Sequence, residues 1–596
     1  MEFSYKKNDN QKLFKSLEEK PEFGILQPQN YIPLYNCFFS LSPTNHNAIH
    51  LNNQYSLTKL IAQETNNIFK CTLKCANDEN KYTKKVYLKF SPLLDPLKYL
   101  FGKYDVNDET LINLPTFDNN NNNCHPKVKE YNNSAYVDSF FTYLSSKLLH
   151  DHKFIHGLDF YGSFLATKTD FRINIIDDID YLNDSAFFRK NDKILYELED
   201  VEIDEMDSDT RNYKKKLTFG DEPETETKTI LQLSDIIDLN QLDSIVNAGE
   251  ELSCKELSDL EVITIDELKI TDKMNKSRSS HSSCSSRTSN TGEDSPNDDD
   301  EEKGSEGSEG SECSEGISEG SEGEEESESE STLDEEVLIA KIKKFPVQVI
   351  ALEHCENTLD HLMSHEEVSN DLWDSIVVQI LFSLITFQKT FSLTHNDLHT
   401  NNVMYIETDK KYLYYKLNHT YYKVPTFGKL FKIIDFGRAI YKFRGQTLCS
   451  DSYHPDGDAA TQYNCEPYFN GKKPRLEPNF SFDLCRLGCA LYDHLIDEES
   501  TDTKKPTKNK SKIVQIMLDW IMDDKGRNIL YKKNGDERYP DFKLYKMIAR
   551  TVHKHIPMDV LNNAYFDKFI INKKEIKKTT EFMDLDLIPY LGGSAP

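Results

Sequence analysis

Two short stretches of this 596-residue chain place carboxylates and neutral oxygen donors where they could serve one reaction. In Thr394-His395-Asn396-Asp397-Leu398-His399-Thr400-Asn401-Asn402, a carboxylate precedes a carboxamide by five positions, directly after a long apolar run. In the second, an apolar run ends on Asp435-Phe436-Gly437, where the glycine permits a sharp exit of the chain. Phosphoryl transfer asks for one carboxylate to accept a hydroxyl proton, with oxygen ligands nearby to hold a divalent cation on phosphate oxygens. Taken alone, the first string also reads as a polar turn capping a helix, and a three-residue string recurs by chance. Their order, each in its fitting loop or strand context, carries the weight.

The first string resembles the catalytic loop HRDxxxxN of the eukaryotic protein-kinase family, and the second resembles its DFG element. The resemblance implies Asp397 as catalytic base, Asn402 and Asp435 as ligands of Mg2+ or Mn2+, and ATP as phosphoryl donor. Val86-Tyr87-Leu88-Lys89 resembles the strand lysine that pairs with the nucleotide's α- and β-phosphates. A plain strand-end lysine is the alternative, since Lys84 and Lys85 make the segment generally basic. The helix carboxylate that partners such a lysine is expected at Asp138, with Glu130 as second choice. The run VQVIALEHCENTLDHL resembles the strand and hinge that receive adenine. Backbone groups after Glu353, as far as Cys355, would pair with the base, and Asp360 would reach the ribose. SFDLCRLG at 481–488 resembles the helix whose buried aspartate, here Asp483, anchors the catalytic loop. The resemblance runs from about Tyr55 to the C-terminal helices and is strongest over 350–490. In overall style the chain is similar to serine/threonine kinases of giant DNA viruses.

The pattern is broken in several places. The turn expected to cover the phosphates, Ala62-Gln63-Glu64-Thr65-Asn66-Asn67, has no glycine, so close backbone approach to phosphate is in question. Asn396 stands where the family has arginine, which removes the cation that would clamp a phosphorylated activation loop. His399 stands where protein-serine kinases carry lysine; it could donate to the transferring phosphoryl, with a charge that depends on pH near neutrality. No APE follows, and DGDAATQYNCEPYF at 456–469 is the nearest equivalent. The acceptor is expected to be a protein hydroxyl. A catalytically weak pseudokinase scaffold and a small-molecule kinase of the same fold are the alternatives.

These residues need elements to hold them. YSLTKLIAQ, IFKCTLKCA and KKVYLKF read as a three-stranded antiparallel meander. AYVDSFFTYLSSKLL reads as a helix with Val137, Phe140, Phe141, Leu144 and Leu148 on one face. FIHGLDFYGSFLA and FPVQVIALEHC read as strands, DLWDSIVVQILFSLITFQKTF as a long amphipathic helix, and YLYYKL with TYYKV as an added β-hairpin. Strands followed by helices predict an α+β protein, bilobal and kinase-like, with a small antiparallel β lobe and a larger, mainly helical lobe. The expected divisions are a loosely docked polar extension at 1–40, the small lobe at 41–165, an acidic insert at 166–336, the last small-lobe strand and hinge at 337–355, and the large lobe at 356–596.

Composition sets the remaining bounds. Residues 293–336 hold 21 carboxylates and one lysine, two thirds of the net charge of −30. With its SEG repeats, 272–336 cannot bury enough apolar surface to offset the entropy of ordering and is expected to be disordered. Without a basic stripe interleaved with aromatics there is no electrostatic footprint for nucleic acid. The N-terminus lacks the apolar core of a secretory signal, and the longest apolar stretch, 376–387, is too short to cross a bilayer. A cytoplasmic location is expected, in the host cytoplasm or the virion if the chain is viral, with no membrane partner. The twelve cysteines form no CxxC pair and are expected to be reduced thiols. Oligomeric state is not encoded in any motif.

Overall fold

The runs rich in β-branched and aromatic residues assemble into a seven-stranded antiparallel sheet, in a computed structural model that describes residues 2–78, 80–117, 124–201, 337–496, 510–540, 542–577 and 580–593. Its strands are β1 (Ile25–Gln29), β2 (Tyr55–Gln63), β3 (Ile68–Cys75), β4 (Lys81–Pro92), β5 (Phe160–Asn174), β6 (Tyr196–Val201) and β7 (Val337–Glu353). The order is β1-β5-β7-β4-β3-β2, with β6 also on β7. Strand β7 is the spine. Strand β5 lies along it from Ile339 to Leu352, while its other edge takes β6 over the first third and β4 from Val347 to Glu353. Consecutive residues from Phe345 to Leu352 are buried, on both faces of the sheet, which explains why this stretch reads as a near-continuous apolar run.

Helix α1 (Gln11–Glu18) precedes the sheet, and α2 (Ser134–His152) stands between β4 and β5. The Asn133 side chain caps α2 by accepting from Ala135 N–H, and Lys153 ends it in the left-handed region. The sequence pattern assigns α2 one apolar face, yet every residue from Ala135 to Leu148 is buried. The polar positions on its other side, Asp138 among them, are therefore enclosed.

Next come α3 (Leu359–His365) and α4 (Asn370–Phe391). By length and hydropathy α4 could cross a membrane, but 83% of its most apolar window is buried within the protein, as for a core helix. It is enclosed and not amphipathic. The half expected to be mainly helical carries α5 (Phe482–Leu495), α6 (Lys512–Asp519) and α7 (Lys543–Thr551), together with three small sheets. One contains β8 (Asn357–Thr358), β9 (Val403–Glu407) and β12 (Lys429–Ile433), in the order β8-β9-β12. The second is the expected hairpin, β10 (Tyr412–Leu417) and β11 (Thr420–Pro425), flanked by β15 (Ile570–Ile571) and β16 (Met583–Asp584). Its turn residues Asn418 and His419 both have positive φ, as a two-residue hairpin loop requires. The third pairs β13 (Ile440–Phe443) with β14 (Gln446–Cys449).

Two expectations about boundaries need correction. Residues 1–40 are not loosely docked: Phe3, Leu13, Leu17, Phe23 and Ile25 are buried in the main core, and β1 pairs with β5. Regular structure also continues past residue 165 through the rest of β5 and on to β6, because β7 needs those partners. The disorder expected for 272–336 concerns residues outside those described.

Candidate functional site

Strand alternation buries Val86 and Leu88 and turns Lys89 to the other face of β4. The Lys89 ammonium there lies 2.8 Å from Asp138 Oδ2 and 2.9 Å from Asp435 Oδ1. Burial alone would lower the lysine, but the two carboxylates outweigh it and hold its pKa above the ordinary value. Asp138 is pushed up by burial, with Lys89 opposing. For Asp435, crowding acts upwards, yet the Lys89 charge wins and the carboxyl sits below its ordinary value. The Asp435 side chain keeps 44% of its surface exposed, against 4% for Asp138, which accords with that order. The second Asp138 oxygen accepts from Phe436 N–H at 2.8 Å, so the helix carboxylate grips both the lysine and the backbone after Asp435. Asp435 has φ +61°, and the Phe436 ring packs 4.4 Å from that of Phe141 on α2.

The loop after α4 is anchored from α5. Asp483 accepts from His395 N–H at 3.0 Å and Asn396 N–H at 2.8 Å, and its burial pushes its carboxyl up. His395 bonds through Nε2 to the Ile434 carbonyl at 2.8 Å, tying the loop to the end of β12. Asn396, at φ +64°, donates to the Thr394 and Arg438 carbonyls and accepts from the Tyr463 hydroxyl. Its carboxamide thus links the loop to residues on either side of it without any charge. Asn402 donates Nδ2 to the Asp397 carbonyl at 2.9 Å, which leaves Oδ1 as its oxygen donor, and its own carbonyl accepts from Ile434 N–H at 3.0 Å. Asp397, Asn402 and Asp435 are thereby joined through one hydrogen-bonded frame. Arg438 lies 3.9 Å from Asp397 Oδ2 and also pairs with Asp458, which ties the 456–469 stretch to the loop.

The other candidates take the following positions. His399 is only 2% exposed, and its Nδ1 accepts from Asn401 N–H, so it caps the turn at 400–402 and presents no ring donor at the surface. One Asp360 oxygen accepts from the Thr400 hydroxyl at 2.6 Å, making it a brace for the loop. Glu353 takes the buried Lys432 ammonium at 2.7 Å and Asp159 N–H at 3.2 Å, linking the end of β7 to β12. Cys355 is buried, which pushes its thiol up and away from reactivity. Glu130, the second choice beside Lys89, instead accepts from Asn132 N–H. In the glycine-free turn, Glu64 and Thr65 N–H both bond the Ile68 carbonyl, and Glu64 pairs with Lys85.

Sequence reasoning missed Tyr545, Arg438 and Arg486. Tyr545 meets Asp397 across 148 residues, and no local pattern marks such a pairing. Among the described residues no group of three or more His, Cys, Asp or Glu could hold a metal by itself. Asp435 and Asn402 Oδ1 supply hard oxygen donors of the kind Mg2+ takes when nucleotide phosphates and water complete its shell. No protein-family model and no curated protein matches the chain.

Proposed function

We propose that the chain is a serine/threonine protein kinase of bilobal kinase-like fold, transferring the γ-phosphoryl of ATP to a protein hydroxyl. The observation that carries this reading is the Lys89 ammonium held between Asp138 and Asp435, beside a frame that joins Asp397 to Asn402. Lys89 would neutralise nucleotide phosphate oxygens, and Asp138 would keep it aimed. Asp435 and Asn402 would hold Mg2+, which when bound neutralises charge on the phosphates. Asp397 orients the acceptor hydroxyl and takes its proton. The acceptor oxygen bonds to the γ-phosphorus as the bond to the β–γ bridging oxygen breaks, and that electron pair leaves with ADP. The glycine-free turn at 62–67 favours one second reading, a scaffold that binds nucleotide without turnover.

Labelled ATP with Mg2+ tests this, offering the protein itself, basic and acidic proteins, and small alcohols. Label on protein with wild type, lost in Asp397→Ala and Asp435→Ala, is the expected outcome. Nucleotide binding without transfer would establish the scaffold, and label on alcohols alone a small-molecule kinase.

A further inference from the structure

Asp397 is held from two helices that follow it far along the chain. Tyr545 on α7, 1% exposed, donates its hydroxyl to Asp397 Oδ1 at 2.8 Å. That hydroxyl oxygen accepts in turn from Arg486 Nε at 2.9 Å, and Arg486 is 2% exposed on α5. The guanidinium groups of Arg486 and Arg438 also lie over the Tyr545 ring, at 5.3 and 5.7 Å from its centroid. Arg486 follows Asp483 by three residues, so the two share a face of α5. One helix face therefore grips the loop twice, its backbone through Asp483 and its carboxylate through Arg486 and Tyr545. A phenol that accepts from a guanidinium becomes a stronger donor, since bonds in such a chain polarise one another.

We propose that Tyr545 is a positioning residue for Asp397: polarised by Arg486, its hydroxyl fixes the rotation of the carboxylate that takes the acceptor's proton. The inference rests on the reading of Asp397 as base. Enclosed aromatic rings and a buried arginine would also stabilise the fold without any bearing on the reaction, so the test must separate the two roles.

In the full chain, Tyr545→Phe keeps the ring and removes only the hydroxyl. The expected result is a fall in kcat on the order of 100-fold, as for a misplaced reacting group, with KM and Kd for Mg-ATP unchanged. Arg486→Met should slow kcat as well, Arg486→Lys should restore part of it, and the double variant should be no slower than Tyr545→Phe alone, because Arg486 acts through that hydroxyl. Tyr565→Phe supplies the stability control. It cuts a like bond, from the Tyr565 hydroxyl to Asp374 at 2.7 Å, near the start of α4 and roughly 25 Å of helix from the loop. It should melt lower and leave kcat alone. Wild-type kcat in Tyr545→Phe while Asp397→Asn is inactive would overturn the inference and leave the proposed function standing. Additive losses in the double variant would overturn it too. Absence of transfer by wild type would overturn both.

Discussion

Lys89, Asp138 and Asp435 form a site with one cation and two carboxylates of unequal exposure, and the enclosed partner has the most to lose. Asp138 is buried on α2 and satisfies both Lys89 and Phe436 N–H. Removing one member of such a pair leaves the others desolvated without compensation. Asp138→Ala should therefore cost about 3–5 kcal/mol of stability, read as a shifted denaturation midpoint. Asp138→Asn, which keeps an acceptor for Phe436, should cost less. Equal stability of Asp138→Ala and wild type would contradict this account. Asp138 was legible through the family resemblance, which expects a helix carboxylate beside the strand lysine, and it is the one carboxylate in AYVDSFFTYL. His399, which stands where the resembled family carries lysine, caps the turn at 400–402, a role that its position in the motif did not signal. Tyr545 and Arg486 were not legible at all, because their partner lies on another element far away in sequence.

At the scale of elements, the added hairpin has a packing role that its sequence did not disclose. The Tyr415 ring stacks on Phe382 of α4 at 3.9 Å, and its hydroxyl bonds His156 Nε2 at 2.7 Å. His156 Nδ1 faces the Phe431 carbonyl of β12 at 2.7 Å, so Nδ1 carries the proton and Nε2 accepts from the tyrosine. Burial lowers the His156 pKa to about 4, with the Phe431 carbonyl opposing and Lys432 adding to the shift. The folded form is thus neutral. Below pH 6.5 the unfolded chain takes up a proton that the folded chain does not, so stability is full above 6.5 and is lost as pH falls towards 4. The loss across that window is about 3 kcal/mol. His50, lowered to about 4 by burial and then Lys6, adds a parallel slope. Melting temperature should fall over this range in wild type and fall less steeply in His156→Gln; identical slopes would rule out His156 as a source. The strands and helices themselves were largely legible from period and composition. Which faces they bury was not, since α2 and α4 are enclosed by neighbours that periodicity does not reveal.

At the scale of the whole molecule, the N-terminal residues belong to the core. The Phe3 ring packs 5.0–5.8 Å from those of Phe39, Phe38, Phe140 and Phe443, and Phe23 lies 5.6 Å from Phe69 on β3. Five buried apolar side chains, Phe3, Leu13, Leu17, Phe23 and Ile25, contribute roughly 10 kcal/mol as an upper bound from burial alone. That is comparable to the total stability of an ordinary domain. A chain starting at residue 31 should therefore aggregate or melt far below the full-length protein, as differential scanning of the two would read. Melting within a few degrees of full length would show the segment to be dispensable. The polar residues between these apolar ones concealed this in the sequence, because only the buried minority decides where the segment lies.

The place of β7 at the spine has a consequence for how the protein is made. The strands β2 to β5 leave the ribosome well before β7 does, and residues 202–336 are translated in between. At roughly 5–20 residues per second, that interval lasts on the order of 10 s. During it, β4 and β5 each present an unpaired edge in a crowded cell. Nascent chains would spend those seconds as a target for chaperones, and ribosome pausing within the acidic segment would lengthen the exposure. Codon choice across residues 202–336 could then set how much folded protein a cell obtains.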